Sequence, residues 1–286
     1  MKKIFKVAAR SSPLAMKQAQ MAAEYLSAAV GDSGFEILPF KTLGDKRLEW
    51  SLEQKGGKGL FTKELEDALL SGAADFAVHS AKDMPTTCPD GLELAAFLPR
   101  DDCRDVFIRR IGAEIGTIAT ASPRRRAQLK NVFPGAQWAQ IRGNVGTRLQ
   151  KISEGLADAT MLSAAGLDRL GIKEFEGLSF ERLDISKFVP AVGQGAIAIE
   201  CRSADAPFFA CFSDAPTALA VELERLFLSS LGGGCQSAFG ANFDGKIFRL
   251  FHEKIGRAQL DFSGLEPEKM RENVRAIAAK IAEIRG

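Results

Sequence analysis

GAADFAVHSA, the stretch Gly72–Ala81, returns later in the chain as GLADATMLSA, Gly155–Ala164. Both copies fit the pattern GxADxxxxSA, in which a helix ends at glycine, a short apolar run forms a buried strand and a polar loop follows. In a second echo, two apolar runs lead into Ser12-Pro13 and Ser122-Pro123, where serine suits the N-cap and proline the first helical position. Both echoes come in the same order, which predicts a duplicated α/β architecture with a mostly parallel sheet in each half.

The composition indicates a globular chain of two or three domains. The 286 residues are 46% hydrophobic and 26% charged, and the net charge of +2 excludes binding of polyanions by bulk charge. No apolar run is long enough to span a membrane, and Lys6 and Arg10 interrupt any signal-peptide core. Five cysteines without CxxC spacing and two histidines argue against a metal site and for a reducing compartment. We therefore expect a cytoplasmic protein.

The C-terminal part has a different pattern. Its apolar spacing predicts a helix over residues 217–230, a hairpin around Asp244-Gly245, a third strand near residues 255–262 and a final helix from Met270 to Ile284. We expect three domains, which are listed here by residue range. The first comprises residues 1–95 and 196–215, the second residues 96–195, and the third, a small α+β domain, residues 216–286.

Basic residues are concentrated in one segment. No acidic residue occurs from Ile115 to Ser153, so this segment could attract phosphates or carboxylates; a solvated basic face or a nucleic-acid patch is the alternative. Ligands of α/β sheets gather at strand C-termini and helix N-termini, where free N–H groups favour anions. Candidate anion ligands at such positions are Arg10 and Ser12 in the first half and Thr120, Ser122, Arg124 and Arg125 in the second. We expect these two edges to face one cleft.

A carboxylate and an ammonium follow the first repeated strand. Asp83 could stabilise a developing cation or move a proton. Lys82 could bind a carboxylate or form a Schiff base. The alternative is a loop ion pair at the turn before Pro85.

Three glycine-containing segments could also bind ligands. GGKGLF (Gly56–Phe61) lacks the spacing of a phosphate loop, but it could present Lys58 to an anion and Phe61 to a planar ligand. RGNVGTR (Arg142–Arg148) pairs glycines with arginines, which suit bidentate carboxylate binding. VPAVGQG (Val189–Gly195) is interpreted as a hinge leading back to the first domain, or as a plain interdomain loop.

Cys235 follows three glycines in LGGGCQ. One interpretation is that Gly232 caps a helix and Cys235 is a small buried hydrophobe. The other is that the glycines present the thiol on a flexible arm to something bulky.

Six motifs together resemble the porphobilinogen deaminase family. In chain order they are RSSPLA, GGKGLF, HSAKD, RGNVGTR, AVGQGA and GGCQ, and the resemblance runs from about Lys6 to Gly240. It implies two domains similar to periplasmic binding proteins and a third that carries a cofactor arm. Enzymes of this family join four porphobilinogen molecules head to tail into linear hydroxymethylbilane and release ammonia. The resemblance also implies a dipyrromethane cofactor, held by a thioether to Cys235.

The resemblance assigns roles to individual residues. The catalytic carboxylate is Asp83. The expected cofactor ligands are Cys235, Lys82, Thr120, Ser122, Arg124, Arg125, Gly146 and Arg148. The expected substrate ligands are Arg10, Ser12, Gln18, Lys58, Phe61, Arg142 and Gln194. The chain departs from the family at Ala121 and Pro123, so one anion contact can be missing.

Two rival functions were compared with this one. A solute-binding protein for a polyanion shares the two-lobed design but has no use for Gly-Gly-Gly-Cys. A nucleic-acid-binding protein lacks support from any helix-turn-helix or RNA-binding aromatic pattern. We therefore expect a monomeric enzyme whose partner is the small molecule porphobilinogen. Because Cys235 follows a helix C-terminus, we interpret it as a one-time attachment point and not as an activated nucleophile.

Overall fold

The computed structural model describes residues 3–31, 33–46, 61–232 and 238–284. The expected ligands Lys58 and Cys235 lie outside these ranges. The chain divides into two compact units, Met1–Asp101 with Ala196–Leu219 and Asp102–Gly195 with Ala220–Gly286. In this division the C-terminal region belongs to the second unit, and the expected three-domain boundaries stay a prediction.

Strands and helices alternate along most of the chain. In chain order, the elements are β1 (Ile4–Arg10), α1 (Pro13–Val30), β2 (Gly34–Phe40), α2 (Leu43–Lys46), α3 (Lys63–Leu70), β3 (Phe76–Ser80), a 3₁₀ turn (Ala81–Asp83), β4 (Leu92–Phe97), β5 (Asp105–Arg110), β6 (Thr117–Ala119), α4 (Pro123–Lys130), β7 (Gln137–Ala139), α5 (Val145–Ser153), β8 (Ala159–Ser163), α6 (Ala164–Arg169), β9 (Leu178–Arg182), β10 (Ile197–Arg202), α7 (Ala206–Ala210), α8 (Ala215–Ser230), β11 (Phe239–Phe243), β12 (Ile247–His252), β13 (Gly256–Asp261) and α9 (Pro267–Glu283).

The two units contain sheets of the same topology. The strand order is β2-β1-β3-β10-β4 in the first unit and β7-β6-β8-β5-β9 in the second. In each sheet the first three strands run parallel, and the fourth runs antiparallel to both of its neighbours. The antiparallel strands, β10 and β5, are the first strands after the chain passes into their unit. The expected duplication of two mostly parallel α/β domains is confirmed.

Helices cover both faces of each sheet. In the first unit, α1 buries Leu26 against one face and α3 buries Leu65 and Leu69 against the other. In the second, α5 buries Leu149 on one face and α4 buries Leu129 on the other. Burial on both faces explains why the central strands are apolar without alternation.

The Ser-Pro pairs start helices as expected. Ser12 is the N-cap of α1 and Ser122 that of α4, with proline next in each. One local expectation is wrong: α6 begins directly after β8, where a polar loop was expected. The second copy of the repeat therefore ends differently from the first, in which β3 leads into a single 3₁₀ turn.

The C-terminal region forms the expected small α+β arrangement. Strands β11, β12 and β13 make an antiparallel sheet. At the hairpin, the Asp244 carboxylate accepts the backbone N–H groups of Lys246 and Ile247 at 3.0 and 2.8 Å, and Gly245 takes a φ of 96°, which favours glycine. Helix α9 buries Met270 and Val274 on one side. Within the described ranges, none of the helices combines the length and apolar character needed to cross a membrane.

Candidate active site

The carboxyl ends of β1, β2 and β3 lie at one edge of the first sheet. Arg10 is the last residue of β1, and the Ser12 hydroxyl accepts the Ala15 N–H at 3.3 Å as it caps α1. Lys82 and Asp83 lie on the 3₁₀ turn that follows β3, and Asp83 is exposed. Parallel neighbouring strands end on the same side, so the structure brings these expected ligands to one edge.

Two residues expected to bind substrate are in contact. The Arg10 guanidinium carbon lies 4.4 Å from the centre of the Phe61 ring, a cation–π contact. The aromatic face therefore supports a cation at the end of β1.

Gln18 has a structural contact. It is buried on α1, and its side-chain N–H donates to the Ser80 hydroxyl at 2.8 Å. This bond fixes the last residue of β3, directly before the turn that carries Asp83. A contact between Gln18 and substrate stays a prediction.

A buried histidine–glutamate pair next to this turn was missed in the sequence. The His79 Nε2 atom lies 2.9 Å from a Glu200 carboxylate oxygen, and both side chains are buried. Glu66 of α3 lies near this pair, and burial raises the pKa of its carboxyl above the usual value. The available signal was a histidine and a glutamate inside otherwise apolar strands, β3 and β10.

The second sheet has a comparable edge, at the carboxyl ends of β6 and β7. The Ser122 hydroxyl accepts the Arg125 N–H at 3.4 Å, and the Thr120 hydroxyl accepts the Ser122 N–H at 3.1 Å. On the neighbouring strand end, the Asn144 side chain accepts the Thr147 N–H at 2.9 Å and caps α5. Two helix N-termini therefore lie at adjacent strand ends, which is an arrangement suited to anions.

The loop before α5 is held by its own basic side chains. Arg148 donates from Nε to the Gly143 carbonyl at 2.7 Å, and Lys151 donates to the Arg142 carbonyl at 3.1 Å. At Gly146, in the first turn of α5, the nearest atom to an added Cβ is 3.7 Å away. A methyl group at position 146 would therefore make only an ordinary van der Waals contact with the Asn144 side chain.

Arg124 and Arg125 are buried and share one carboxylate. Arg124 donates to Asp105 at 2.7 Å, and Arg125 donates to it from Nε and Nη2 at 2.9 and 2.6 Å. Burial alone raises the pKa of Asp105, but the two guanidiniums and their hydrogen bonds outweigh it and hold this pKa well below its usual range. The segment without acidic residues therefore has a counter-charge in the fold, because Asp105 of β5 pairs with two of its arginines. An acidic residue opening an apolar strand was the signal available in the sequence.

Gln194 is fully buried in the second unit. It donates to the Cys103 carbonyl at 2.8 Å. The next residue back, Gly193, donates its N–H to Glu224 of α8 at 2.7 Å, and the same carboxylate accepts the Phe243 N–H at 2.9 Å. Glu224 therefore ties α8 and β11 to the loop that contains Gly193 through contacts within the second unit, a role that was missed because its partners are remote in sequence. Among the described residues, no group of three or more histidine, cysteine or acidic side chains is placed to hold a metal ion.

Comparisons with known proteins agree with the motifs. A family model described as "Porphobilinogen deaminase, dipyromethane cofactor binding domain" matches residues 5–209. The chain is 42% identical over 294 residues to a porphobilinogen deaminase of Nitrobacter winogradskyi, covering 96% of this chain and 89% of that one. It is 43% identical over 246 residues to one of Brevibacillus brevis, covering 83% and 79%. Among solved structures, the periplasmic VFT2 domain of Bordetella pertussis BvgS overlaps 72% of this chain and 84% of its own, with a TM-score of 0.45 and 17% identity.

Three observations lead to one assignment. They are the family-model match over most of the chain, the relatives above 40% identity and the motif residues at the edges of the two sheets. This chain belongs to the porphobilinogen deaminase family.

Proposed function

We propose that Asp83 is the catalytic carboxylate of this chain and that substrate binds at the edge it shares with Arg10 and Ser12. The activity is that of the family, in which four porphobilinogen molecules are joined head to tail into linear hydroxymethylbilane with release of ammonia. The enzyme is a transferase of tetrapyrrole synthesis with a dipyrromethane cofactor. The observation that carries the proposal is the exposed carboxylate of Asp83 on the turn after β3.

The second edge fits a polycarboxylate. Each pyrrole ring derived from porphobilinogen carries an acetate and a propionate, so the cofactor presents several carboxylates. Two helix N-termini at adjacent strand ends offer N–H donors to such groups. We infer that the ligands of these carboxylates in the second unit are Thr120, Ser122, Gly146 and Arg148. Lys82 is proposed as a cofactor ligand from the family resemblance alone.

Arg124 and Arg125 belong to the same proposal. Two guanidiniums and one carboxylate leave the Asp105 cluster with a net positive charge. This charge favours a cofactor carboxylate near the start of α4 even though both side chains are buried. The family resemblance supports a further set of substrate ligands. These are Gln18, Lys58, Phe61, Arg142 and Gln194.

The chemistry needs one stabilising carboxylate. Loss of ammonia from the protonated aminomethyl group of porphobilinogen breaks the C–N bond and leaves a cationic azafulvenium. The attacking pyrrole carbon forms the new C–C bond and then gives up its proton to a base, a transfer that a carboxylate such as that of Asp83 can perform. Asp83, close to the pyrrole N–H groups, stabilises the positive charge in both steps. Arg10 and Ser12 hold the carboxylates of the incoming ring. When bound, the dipyrromethane supplies the nucleophilic pyrrole carbon on which the chain starts.

Attachment of the cofactor is assigned to Cys235. The glycines before it allow the anchored group to reach its ligands. We also propose that the chain works as a monomer in the cytoplasm, without a nucleic-acid partner.

Substitution Asp83→Asn tests the catalytic assignment. It keeps the size of the side chain and removes its charge, so we expect the rate of hydroxymethylbilane formation to fall by about a hundredfold or more. Rates are measured on protein whose cofactor loading has been checked by mass. The control is Asp90→Asn, another exposed aspartate of the first unit, which is expected to keep the normal rate. A near-normal rate for Asp83→Asn would remove this residue from the mechanism.

A further inference from the structure

Gly44, which no motif of the sequence covers, lies against the Phe61 ring. A Cβ added at Gly44 would stand 2.2 Å from Phe61 Cε1, 2.6 Å from Cδ1 and 2.8 Å from Cζ. Carbon atoms without a bond between them pack at about 3.5–4.0 Å. Any side chain at position 44 would therefore occupy space that the ring now fills.

The backbone around Gly44 is held in place. The Leu43 N–H donates to the Glu64 carboxylate at 2.7 Å, and Thr42 before it is fully buried. Glu64 belongs to the first turn of α3, whose start is fixed by bonds from Leu65 and Glu66 to the Thr62 carbonyl at 2.9 Å each. Because these bonds hold the backbone before Gly44 and the start of α3 after Phe61, a methyl group at position 44 would displace the end of the Phe61 side chain and not the backbone of α2.

The ring in question supports Arg10. The guanidinium carbon of Arg10 lies 4.4 Å from the ring centre. Arg10 is aligned with Phe40 at the end of the β1–β2 pair, and the Ser11 N–H donates to the Phe40 carbonyl at 2.8 Å. The end of β1, helix α2 and Phe61, which lies two residues before α3, therefore meet at one point, with Gly44 at the closest approach.

We propose that Gly44 is a positioning residue of the substrate site. It touches no substrate. Because Gly44 has no side chain, the Phe61 ring can occupy the space beside it. The ring in turn holds the Arg10 guanidinium at the edge that binds the carboxylates of porphobilinogen. This inference rests on the proposed function of Arg10 and Phe61 as substrate ligands.

The test is Gly44→Ala in the full, cofactor-loaded chain. The matched control is Gly135→Ala, where an added Cβ meets nothing within 4 Å. Because a side-chain end can rotate away, we expect both variants to fold. Loss of an aromatic support for a cation predicts a fall in kcat/KM of about three- to thirtyfold for Gly44→Ala, carried mostly by KM, and none for the control.

Two further measurements separate positioning from a general structural effect. Kinetics are repeated in a Phe61→Ala background, where Gly44→Ala should have no additional effect. In parallel, 4-fluorophenylalanine is placed at position 61, and its ¹⁹F resonance should move with Gly44→Ala and not with Gly135→Ala.

The outcomes are distinct. A moved resonance, together with a kinetic loss that disappears in the Phe61→Ala background, supports the inference. The inference on Gly44 is overturned by an unmoved resonance, by an unchanged kcat/KM, or by an equal loss with and without the Phe61 side chain. In each of these cases, an impaired Phe61→Ala variant still supports the proposed role of Phe61. If Phe61→Ala alone keeps normal kinetics, Phe61 is no substrate ligand, and both the assignment of that residue and the inference on Gly44 fail.

Discussion

Asp105 is fully buried at the first position of β5, and both of its carboxylate oxygens accept hydrogen bonds from arginine. Removing a carboxylate from water is unfavourable, and only charged partners with good geometry compensate for it. Here the compensation comes from residues 19 and 20 positions later in the chain. The sequence could not predict this pairing, because no local pattern connects an acidic residue at the start of β5 with two arginines in the first turn of α4.

Asp105→Ala should therefore destabilise the protein strongly. It leaves the buried guanidiniums of Arg124 and Arg125 without their carboxylate, and breaking a buried pair in this way costs about 3–5 kcal/mol of unfolding free energy. The measurement is equilibrium unfolding in urea.

Asp90→Ala serves as the control for Asp105→Ala. Its side chain is exposed, so a change within about 0.5 kcal/mol is expected. If Asp105→Ala were no more destabilising than this control, the buried cluster would not contribute as described. Should the alanine variant fail to fold, Asp105→Asn gives the milder form of the same comparison.

At the scale of the elements, local sequence signals predicted the starts of helices well, but no sequence signal indicated the contacts between distant residues. Ser12-Pro13 and Ser122-Pro123 identified two helix starts because an N-cap and its proline act on adjacent residues. The antiparallel direction of β5 and β10 could not be predicted, since it depends on where the chain passes between units. The contact of Gly44 with Phe61 could not be predicted either, because it joins residues that only the fold brings together.

One ionic network fixes the entry of the chain into the second unit. Asp102 accepts hydrogen bonds from Arg104 before β5 and from Arg182 at the end of β9. Arg182 also donates to Asp168 of α6. Burial alone would raise the pKa of Asp102, but the hydrogen bonds from Arg104 and Arg182 lower it from 3.8 to about 2.

This network predicts a loss of stability in acid. A carboxyl whose pKa is depressed on folding stabilises the protein fully above its unfolded pKa, near 3.8, and that contribution is lost as the pH falls through about 2. We therefore expect the urea midpoint to decrease over this window, and Asp105 acts in the same direction.

The comparison for this window is Asp102→Asn, measured at constant ionic strength. Because the variant has no group to protonate at position 102, its urea midpoint should depend less steeply on pH. A pH dependence identical to that of the unsubstituted chain would show that Asp102 does not contribute.

At the scale of the whole molecule, the repeated stretch GxADxxxxSA predicted the architecture from the sequence. Both copies form buried strands, β3 and β8, at the same position of equivalent sheets. The chemistry was less accessible. Motif order predicted the family, which the comparisons confirmed over residues 5–209, whereas the individual ligand roles stay predictions that depend on variants.

The central claim is that this enzyme carries its primer covalently on Cys235. The most direct measurement is intact-protein mass on purified preparations of the unsubstituted chain, Cys235→Ser and Cys211→Ser, each of which is also assayed for activity; Cys211 is an exposed free thiol and therefore a matched control. We predict a dipyrromethane adduct on the unsubstituted chain and on Cys211→Ser, and none on Cys235→Ser, which is inactive. An active preparation without adduct, or an adduct that persists in Cys235→Ser, would contradict the account.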